Sequence, residues 1–398
     1  MQSIIDNHAL ASEGKEAMRW YREQMTVLNH FKKLYEKSKP FAGMRILVCM
    51  HCEPKGAVRT EVILAGGAKE VIFIGNLGST KPGIAAYLST LPGVTVLAKR
   101  NDTLNDLQAY VKQALHIPSE LMMDNGASLM LEYHKNPPDW RPIGCIEETR
   151  SGQMLLEKAG IVPDFPLLVI DDSPVKRLIE NESGVGQSVV DGFMRATSMM
   201  IGGKKILILG YGFCGRGISQ RFRALGAHTM IYDVDPVKQL KARIEGHETN
   251  DLEHLIRRAD AIVTVTGCFD VIGPKHVKMM RHRAILFNAG HYNMEIDIAG
   301  IEKTACKVEY INSGTKRISF QDKDIYLLQE GNPINLSAGA GNPIEIMEVG
   351  YALQLLSLEH ISAGEDVQPG IWPLTDKINN TTCELCLKIW DERTIPVD

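Results

Sequence analysis

Two stretches of the 398-residue chain bring together residue types that could do chemistry. The first is Gly210-Tyr211-Gly212-Phe213-Cys214-Gly215, which follows the apolar run KKILIL and opens a helical pattern. In that context Gly210 permits a tight turn, Gly212 lets backbone approach a diphosphate, and Gly215 lets the helix pack closely on the strand. The helix N-terminus adds N–H donors and a dipole that favours phosphate. About twenty residues on, where such motifs carry an acid, the next apolar run ends IYDVDP. Asp233 is thereby placed to accept from an adenosine ribose, and a carboxylate there favours NAD over NADP.

The second stretch is CMHCEPKGAV, residues 49–58. Cys49 and Cys52 frame His51, and Glu53 and Lys55 follow at once. Together with Cys383 and Cys386 they make two Cys-x-x-Cys pairs, the ligand count of a four-thiolate zinc site. Against zinc, Cys49 falls in the apolar run RILVCM, where a strand would bury it. Cys383 and Cys386 fall in a helical run without the turn glycines of a zinc knuckle. The expectation is no metal.

The elements around these stretches read as α/β. Residues from about 9 to 37 carry apolar side chains at spacings of three and four, the period of a helix. MRILVCM (44–50), EVIFIG (70–75) and VTVLAK (94–99) are strand-length apolar runs, separated by helical segments near 56–66 and 104–115. Strand and helix alternating in this way predict parallel βα units. A second α/β block starts near residue 186 and adds strands at 259–267 and 283–290. After about residue 345 the pattern predicts a long amphipathic helix, and a last helix follows near 376–392.

Bulk composition narrows the function classes. A formal net charge of -4 gives no basic footprint for nucleic acid and no polybasic membrane anchor. No apolar run reaches the length of a membrane span, and the N-terminus has no signal-peptide pattern. Eight cysteines in such a chain suggest free thiols in a reduced, cytoplasmic setting.

Several stretches, in order, give the chain a resemblance to the S-adenosylhomocysteine hydrolase (adenosylhomocysteinase) family. HCEPKGAV resembles its histidine loop, and IEETRSG its Glu-Glu-Thr turn. DDSPVKRLIENESGVGQSVVDGFMRAT resembles its lysine-bearing segment. GYGFCGRG, TVTGCFDVI and FNAGHYNMEID are similar to its cofactor-domain signatures, and NLSAGAGNP to its hinge-side loop. The resemblance implies a Rossmann-type NAD domain (184–345), an α/β substrate domain (1–183), and a C-terminal segment (346–398) that returns to the substrate domain. It also implies a site in the cleft between domains, a small nucleoside substrate, and a homo-oligomer, dimer or tetramer.

The implied reaction oxidises the ribose 3′-hydroxyl, removes the C4′ proton, eliminates the 5′ thiolate, adds water and reduces the ketone again. By the same resemblance Lys176 would move the 3′-hydroxyl proton, and His51 and His291 would act as acid or base. Glu148 would bind ribose hydroxyls. Asn181, Thr266, Asn288 and Asn335 would hold the cofactor together with Gly210, Gly212, Phe213, Gly215 and Asp233. Thr80 and Glu180 are placed with the substrate.

The departures from the family pattern cluster. The threonine and glutamate that read adenine in typical members are Glu53 and Lys55 here. Lysine donates only, whereas a carboxylate accepts only, so the pattern offered to the base changes. The aspartate implicated at C4′ is Asn125, which cannot be a base, with Asp124 beside it. A family aspartate becomes Glu180, and the loop histidine becomes Asn342. The chain ends IWDERTIPVD without the family's usual lysine- and tyrosine-bearing tail, which implies looser NAD or altered association.

These features leave three readings: an adenosylhomocysteine hydrolase with variant side chains, a paralog lyase or dehydratase acting on another nucleoside, and a non-catalytic NAD-binding regulator. Retention of His51, Lys176 and His291 argues against the regulator. Lys55, Asn125 and Asn342 argue for a rewritten substrate.

Overall fold

The computed structural model describes residues 1–290, 293–364 and 368–394. The chain forms two compact units, one of Met1–Arg177 with Ile344 onward, the other Leu178–Pro343.

The first unit is built on an eight-stranded parallel sheet. Its spatial order is Ile4–Ile5, Val94–Ala98, Glu70–Gly75, Arg45–Met50, Leu121–Asp124, Gly144–Glu147, Pro166–Val169 and Gly370–Pro373. The C-terminal segment thus supplies an edge strand. Helices cover both faces, which is why the strands are near-continuous apolar runs. Along Arg45–Met50 the side chains alternate between two cores. Ile46, Val48 and Met50 join one, while Leu47 and Cys49 join the other.

From Arg45–Met50 the chain winds outward one way through Glu70–Gly75 and Val94–Ala98. It then returns to wind the other way from Leu121–Asp124. The crevice at the carboxyl ends of strands flanking such a reversal is where open α/β sheets bind ligands. His51 and Asn125 follow those two strands directly.

The helix expected over 9–37 is two helices, Ala11–Gln24 and Thr26–Ser38, broken at Met25 (φ -83°, ψ 72°). The cause lies far off in sequence. Glu348 is fully buried, and its Oε1 accepts from Val27 N at 2.6 Å and Leu28 N at 3.3 Å, capping the second helix from outside. The helix Ile344–Ala363 that carries Glu348 also departs from its amphipathic expectation. Glu348 through Leu355, then Ser357, Leu358 and Ile361, are buried, so it is covered on several sides.

The second unit is a Rossmann-type α/β domain. Its sheet runs Glu248–Thr249, His228–Tyr232, Lys205–Leu209, Ala261–Thr264, Ile285–Asn288 and Asp324–Leu328, all parallel. Thr315–Ser319 and Lys307–Asn312 then add an antiparallel extension. Here the order reverses between Lys205–Leu209 and Ala261–Thr264, with Gly210 and the loop of Thr266 at their carboxyl ends. A π-helical segment, Lys176–Gly184, carries the chain into this unit. Among the described residues no helix is long and apolar enough to cross a membrane.

Candidate functional site

In the first unit the site grows from the end of strand Arg45–Met50. His51 Nδ1 lies 2.7 Å from Ser79 Oγ, and Ser79 Oγ donates to Asn76 O at 3.0 Å. Since the serine proton goes to that carbonyl, Ser79 accepts from His51 Nδ1–H, and Nε2 is left as the ring's acceptor. Burial lowers the His51 pKa to about 4, with Lys176, Arg59 and Lys55 adding to the effect against Glu53. His51 is therefore neutral at physiological pH.

Glu53 and Lys55 sit one turn further on. Glu53 is the N-cap of helix Pro54–Ala65, accepting from Gly56 N at 2.8 Å and Lys55 N at 3.1 Å. Lys55 Nζ lies 2.7 Å from Glu53 Oε2, and both side chains are buried. Tyr351 OH donates to Glu53 Oε1 at 3.0 Å. Burial would raise the Glu53 carboxyl, but Lys55 and the helix N–H groups overcome it and hold it below its ordinary value.

Behind this pair stands Arg59, fully buried, its guanidinium 5.1 Å from the Tyr351 ring centre. Arg59 Nη1 donates to Gln354 Oε1 at 2.7 Å, whereas its Nε and Nη2 have no partner among the described residues. Gln354 Nε2 donates to Glu148 Oε2, and the Lys176 ammonium donates to Glu148 Oε1. Lys176 and Glu148 are both buried. The ordering Arg59–Gln354–Glu148–Lys176 holds the carboxylate by both oxygens and fixes where the lysine stands.

Asp124 and Asn125 divide their tasks. Asp124 is fully buried and accepts from Asn125 N and Met130 N, each at 3.0 Å. Beside it Glu147, also fully buried, accepts from the backbone of Gly126, Ala127 and Thr149. Burial and the neighbouring Glu147 push the Asp124 carboxyl well up. Both acids shape the turn that presents Asn125. Asn125 Oδ1 accepts from Asn76 Nδ2 at 2.9 Å, so its own Nδ2 is the donor end. Thr80 is buried on the neighbouring loop, its carbonyl accepting from Arg100.

In the second unit the glycine turn follows strand Lys205–Leu209. Gly210 has φ +104°, and a Cβ there would lie 2.6 Å from Val265 O. A Cβ on Gly215 would lie 2.0 Å from Gly210 O, so helix and turn touch there. Gly212 differs: its Cβ position meets nothing within 4 Å. It precedes helix Phe213–Ala224, whose N-terminus has no side-chain cap. Open space before uncapped N–H donors fits a diphosphate. Asp233 follows the next strand, buried, accepting from Tyr211 N at 2.7 Å. Its position after the second strand is the one at which an acid meets a ribose in dinucleotide-binding turns.

Thr266 is held by Glu295, which takes its N–H at 2.8 Å, its hydroxyl at 2.9 Å and Gly267 N at 2.8 Å. Asn288 is wholly engaged in shape: it accepts from Thr264 Oγ1 and Gly290 N and donates to Gly331 O. Asn335 is buried, and its Oδ1 has no partner among the described residues. An orphaned buried acceptor costs stability until a donor arrives, which fits an amide of a bound dinucleotide. Glu180 and Asn342, expected with the substrate, belong to this unit and meet each other, Asn342 Nδ2 reaching Glu180 Oε1 at 3.5 Å. Asn181 is on the π-helical segment. His291 lies outside the described residues.

Sequence reasoning passed over Asn76, Arg59, Gln354 and Glu295. Asn76 follows strand Glu70–Gly75 at the sheet's carboxyl edge, a position that the strand-end rule picks out. The others act through residues distant in sequence and leave no local mark. Among the described residues no group of three or more His, Cys, Asp or Glu could hold a metal.

Comparison with known proteins identifies the family. The family model "S-adenosyl-L-homocysteine hydrolase" matches residues 2–209, and "S-adenosyl-L-homocysteine hydrolase, NAD binding domain" matches 181–341. The S-inosyl-L-homocysteine hydrolase of Methanopyrus kandleri is 35% identical over 393 residues, covering 96% of this chain and 92% of that protein. The S-inosyl-L-homocysteine hydrolase of Methanocaldococcus jannaschii is 34% identical, over 91% and 88%. The adenosylhomocysteinase of Sulfurisphaera tokodaii is 33% identical, over 97% and 94%.

Proposed function

The chain belongs to the S-adenosyl-L-homocysteine hydrolase family of NAD-dependent thioether nucleoside hydrolases, and we propose that its own substrate carries a 6-oxopurine, as in S-inosyl-L-homocysteine. The observation that carries this is the buried Lys55 ammonium, pinned at 2.7 Å by Glu53. Adenine presents an N–H donor at C6 and an acceptor at N1. A 6-oxopurine reverses both. An ammonium can only donate, so it suits the oxo group, and against the amino group of adenine it leaves donor facing donor. Sites that hydrogen-bond one such edge reject the other strongly. Relatives named for the inosyl substrate support the same choice.

In this reading Glu148, held by Gln354 and Lys176, accepts from ribose hydroxyls. Lys176 holds and moves the 3′-hydroxyl proton. His51, neutral with Nε2 as acceptor, takes the C4′ proton and returns one toward the 5′ position. Asn125 donates a hydrogen bond in place of the carboxylate found in the family. The cradle of Gly210, Gly212 and Gly215, Asp233 and the Asn335 acceptor hold NAD, which when bound accepts the 3′ hydrogen and gives it back. Eight free cysteines support a reduced, cytoplasmic setting, and the family resemblance supports a homo-oligomer.

The test is direct competition. Purified protein is given S-inosyl- and S-adenosyl-homocysteine, and thiol release is followed. A kcat/KM ratio of about 100 or more for the inosyl compound is expected. Equal rates, or a preference for the adenosyl compound, overturn the assignment. Reduction of bound NAD without thiol release from either compound would favour elimination of a different 5′ group.

A further inference from the structure

Four polar side chains of the second unit form a line whose direction is forced at one end. Glu180 is buried, and as a carboxylate it only accepts. Asn342 therefore turns its Nδ2 to Glu180 Oε1, at 3.5 Å. That leaves Asn342 Oδ1 toward Ser188 Oγ, 2.7 Å away, and the serine must donate to it. The Ser188 hydroxyl has one proton. Its lone pair consequently takes Asn335 Nδ2, at 3.3 Å. With its amino end turned to Ser188, the Asn335 amide is oriented with Oδ1 on its other side, and that atom is buried without a partner among the described residues.

The backbone locks the same arrangement. Gly341 N donates to Asn335 O at 2.8 Å, folding the loop that carries Asn342 back over Asn335. A Cβ at Gly339 would lie 2.7 Å from Asn335 O, so the loop passes too close for a side chain. Ser188 itself is buried on helix Val185–Thr197, where its alternative acceptor, Val185 O, is further away at 3.3 Å.

We propose that Ser188 is a positioning residue: through Asn342 it passes the acceptor-only character of Glu180 to Asn335, fixing Oδ1 as an acceptor for the carboxamide N–H of NAD. The proposal rests on Asn335 facing the cofactor and not on the identity of the nucleobase. Without the relay the Asn335 amide could turn over and offer either end. A histidine at position 342, the family pattern, could donate or accept and would titrate. Asparagine gives one direction at every pH.

The experiment reads cofactor choice, not turnover. Full-length protein stripped of nucleotide is titrated with NAD and with 3-acetylpyridine adenine dinucleotide, which keeps the carbonyl but lacks the amide N–H. Wild type is expected to bind NAD about tenfold or more tightly than the analogue, the worth of one buried hydrogen bond. Ser188→Ala should bring the two affinities within about threefold, at a melting temperature that shows the unit folded. Asn342→Ala breaks the relay at its other joint and should do the same, which keeps the test decisive if Ser188→Ala does not fold. Asn342→His should make the NAD preference depend on pH between about 5 and 8. A wild type that does not discriminate, or variants that keep the wild-type ratio, overturn the proposal.

Discussion

The Lys55 ammonium stands 2.7 Å from the Glu53 carboxylate with both side chains buried, and the same carboxylate caps the helix on which Lys55 lies. One acid therefore fixes both the helix start and the charge that, in the proposed function, meets the base. Exchanging the two together, Glu53→Thr with Lys55→Glu, restores the family's adenine-reading pair. The double variant should lower the inosyl-over-adenosyl ratio of kcat/KM by about 100-fold. Lys55→Met alone should cost stability by about 3 kcal/mol, because Glu53 is left as a buried charge without its cation. Steady-state kinetics on the two thioethers and denaturant melts check these outcomes.

His51 predicts an unusual pH dependence. Its pKa is about 4 in the folded chain, lowered first by burial, against about 6.5 in an unfolded one. Between those values the unfolded chain binds a proton that the folded chain does not, so stability falls as pH drops from 6.5 toward 4. His51→Asn should remove that part of the acid sensitivity, on the order of 1–2 kcal/mol once screening of the partly exposed ring is allowed for. As a base His51 must be unprotonated. The acid limb of kcat/KM should accordingly lie near 4 rather than near 6.5.

The two glycines of the cofactor turn should separate binding from folding. Gly212→Ala places a methyl in open space, so unfolding should shift by less than about 0.5 kcal/mol. The same methyl enters the diphosphate cradle and should weaken NAD by about tenfold or more. Gly215→Ala drives a Cβ to 2.0 Å from Gly210 O and should destabilise the unit by about 1–3 kcal/mol. Calorimetry with added NAD measures both terms.

Much of this was legible in the chain because it is local. Parallel strands are apolar on both faces, so RILVCM and EVIFIG announced themselves. The glycine turn with Asp233 is a short-range pattern tied to one ligand. What escaped was non-local. The break at Met25 depends on Glu348, more than three hundred residues away, and no helical period encodes it. The hairpin of Lys307–Asn312 and Thr315–Ser319 is half-exposed and charged, so its strands lack an apolar signature. Asp124, beside Asn125 in the sequence, stands where a catalytic acid would be sought, but the fold engages both of its oxygens with backbone N–H groups. Arg59 reads as an ordinary helix charge until Tyr351 and Gln354 close over it.

Lys176 should be indispensable for the first step and not for cofactor binding. Its ammonium is held by Glu148, and Glu148 in turn by Gln354. Lys176→Met should lower the rate of NAD reduction after substrate mixing by about 10²–10⁴-fold, with NAD content unchanged. Glu148→Gln should weaken substrate binding as well, since in the proposed function it replaces one acceptor oxygen by an amide donor and removes the charge that holds Lys176. Stopped-flow absorbance at the reduced nicotinamide band distinguishes the two.

The last prediction concerns which group takes the C4′ proton. Asn125 cannot accept a proton, and Asn76 holds its Oδ1, so the donor end is what it offers. Asp124 lies below it, fully buried and raised by burial and by Glu147. Of the described groups in the first unit's site, His51 combines a neutral state with an acceptor nitrogen, Nε2, a tautomer fixed by the hydroxyl of Ser79. Washing deuterium from solvent into C4′ of the substrate therefore measures His51 directly. His51→Asn should slow exchange by about 10²–10⁴-fold while leaving NAD reduction largely intact. Asn125→Asp should change exchange by less than about tenfold, because burial beside Asp124 and Glu147 would push a third carboxyl upward and disfavour its charged, basic form. A large gain from Asn125→Asp, with little loss from His51→Asn, would move the base to position 125 and return the chain to the family pattern.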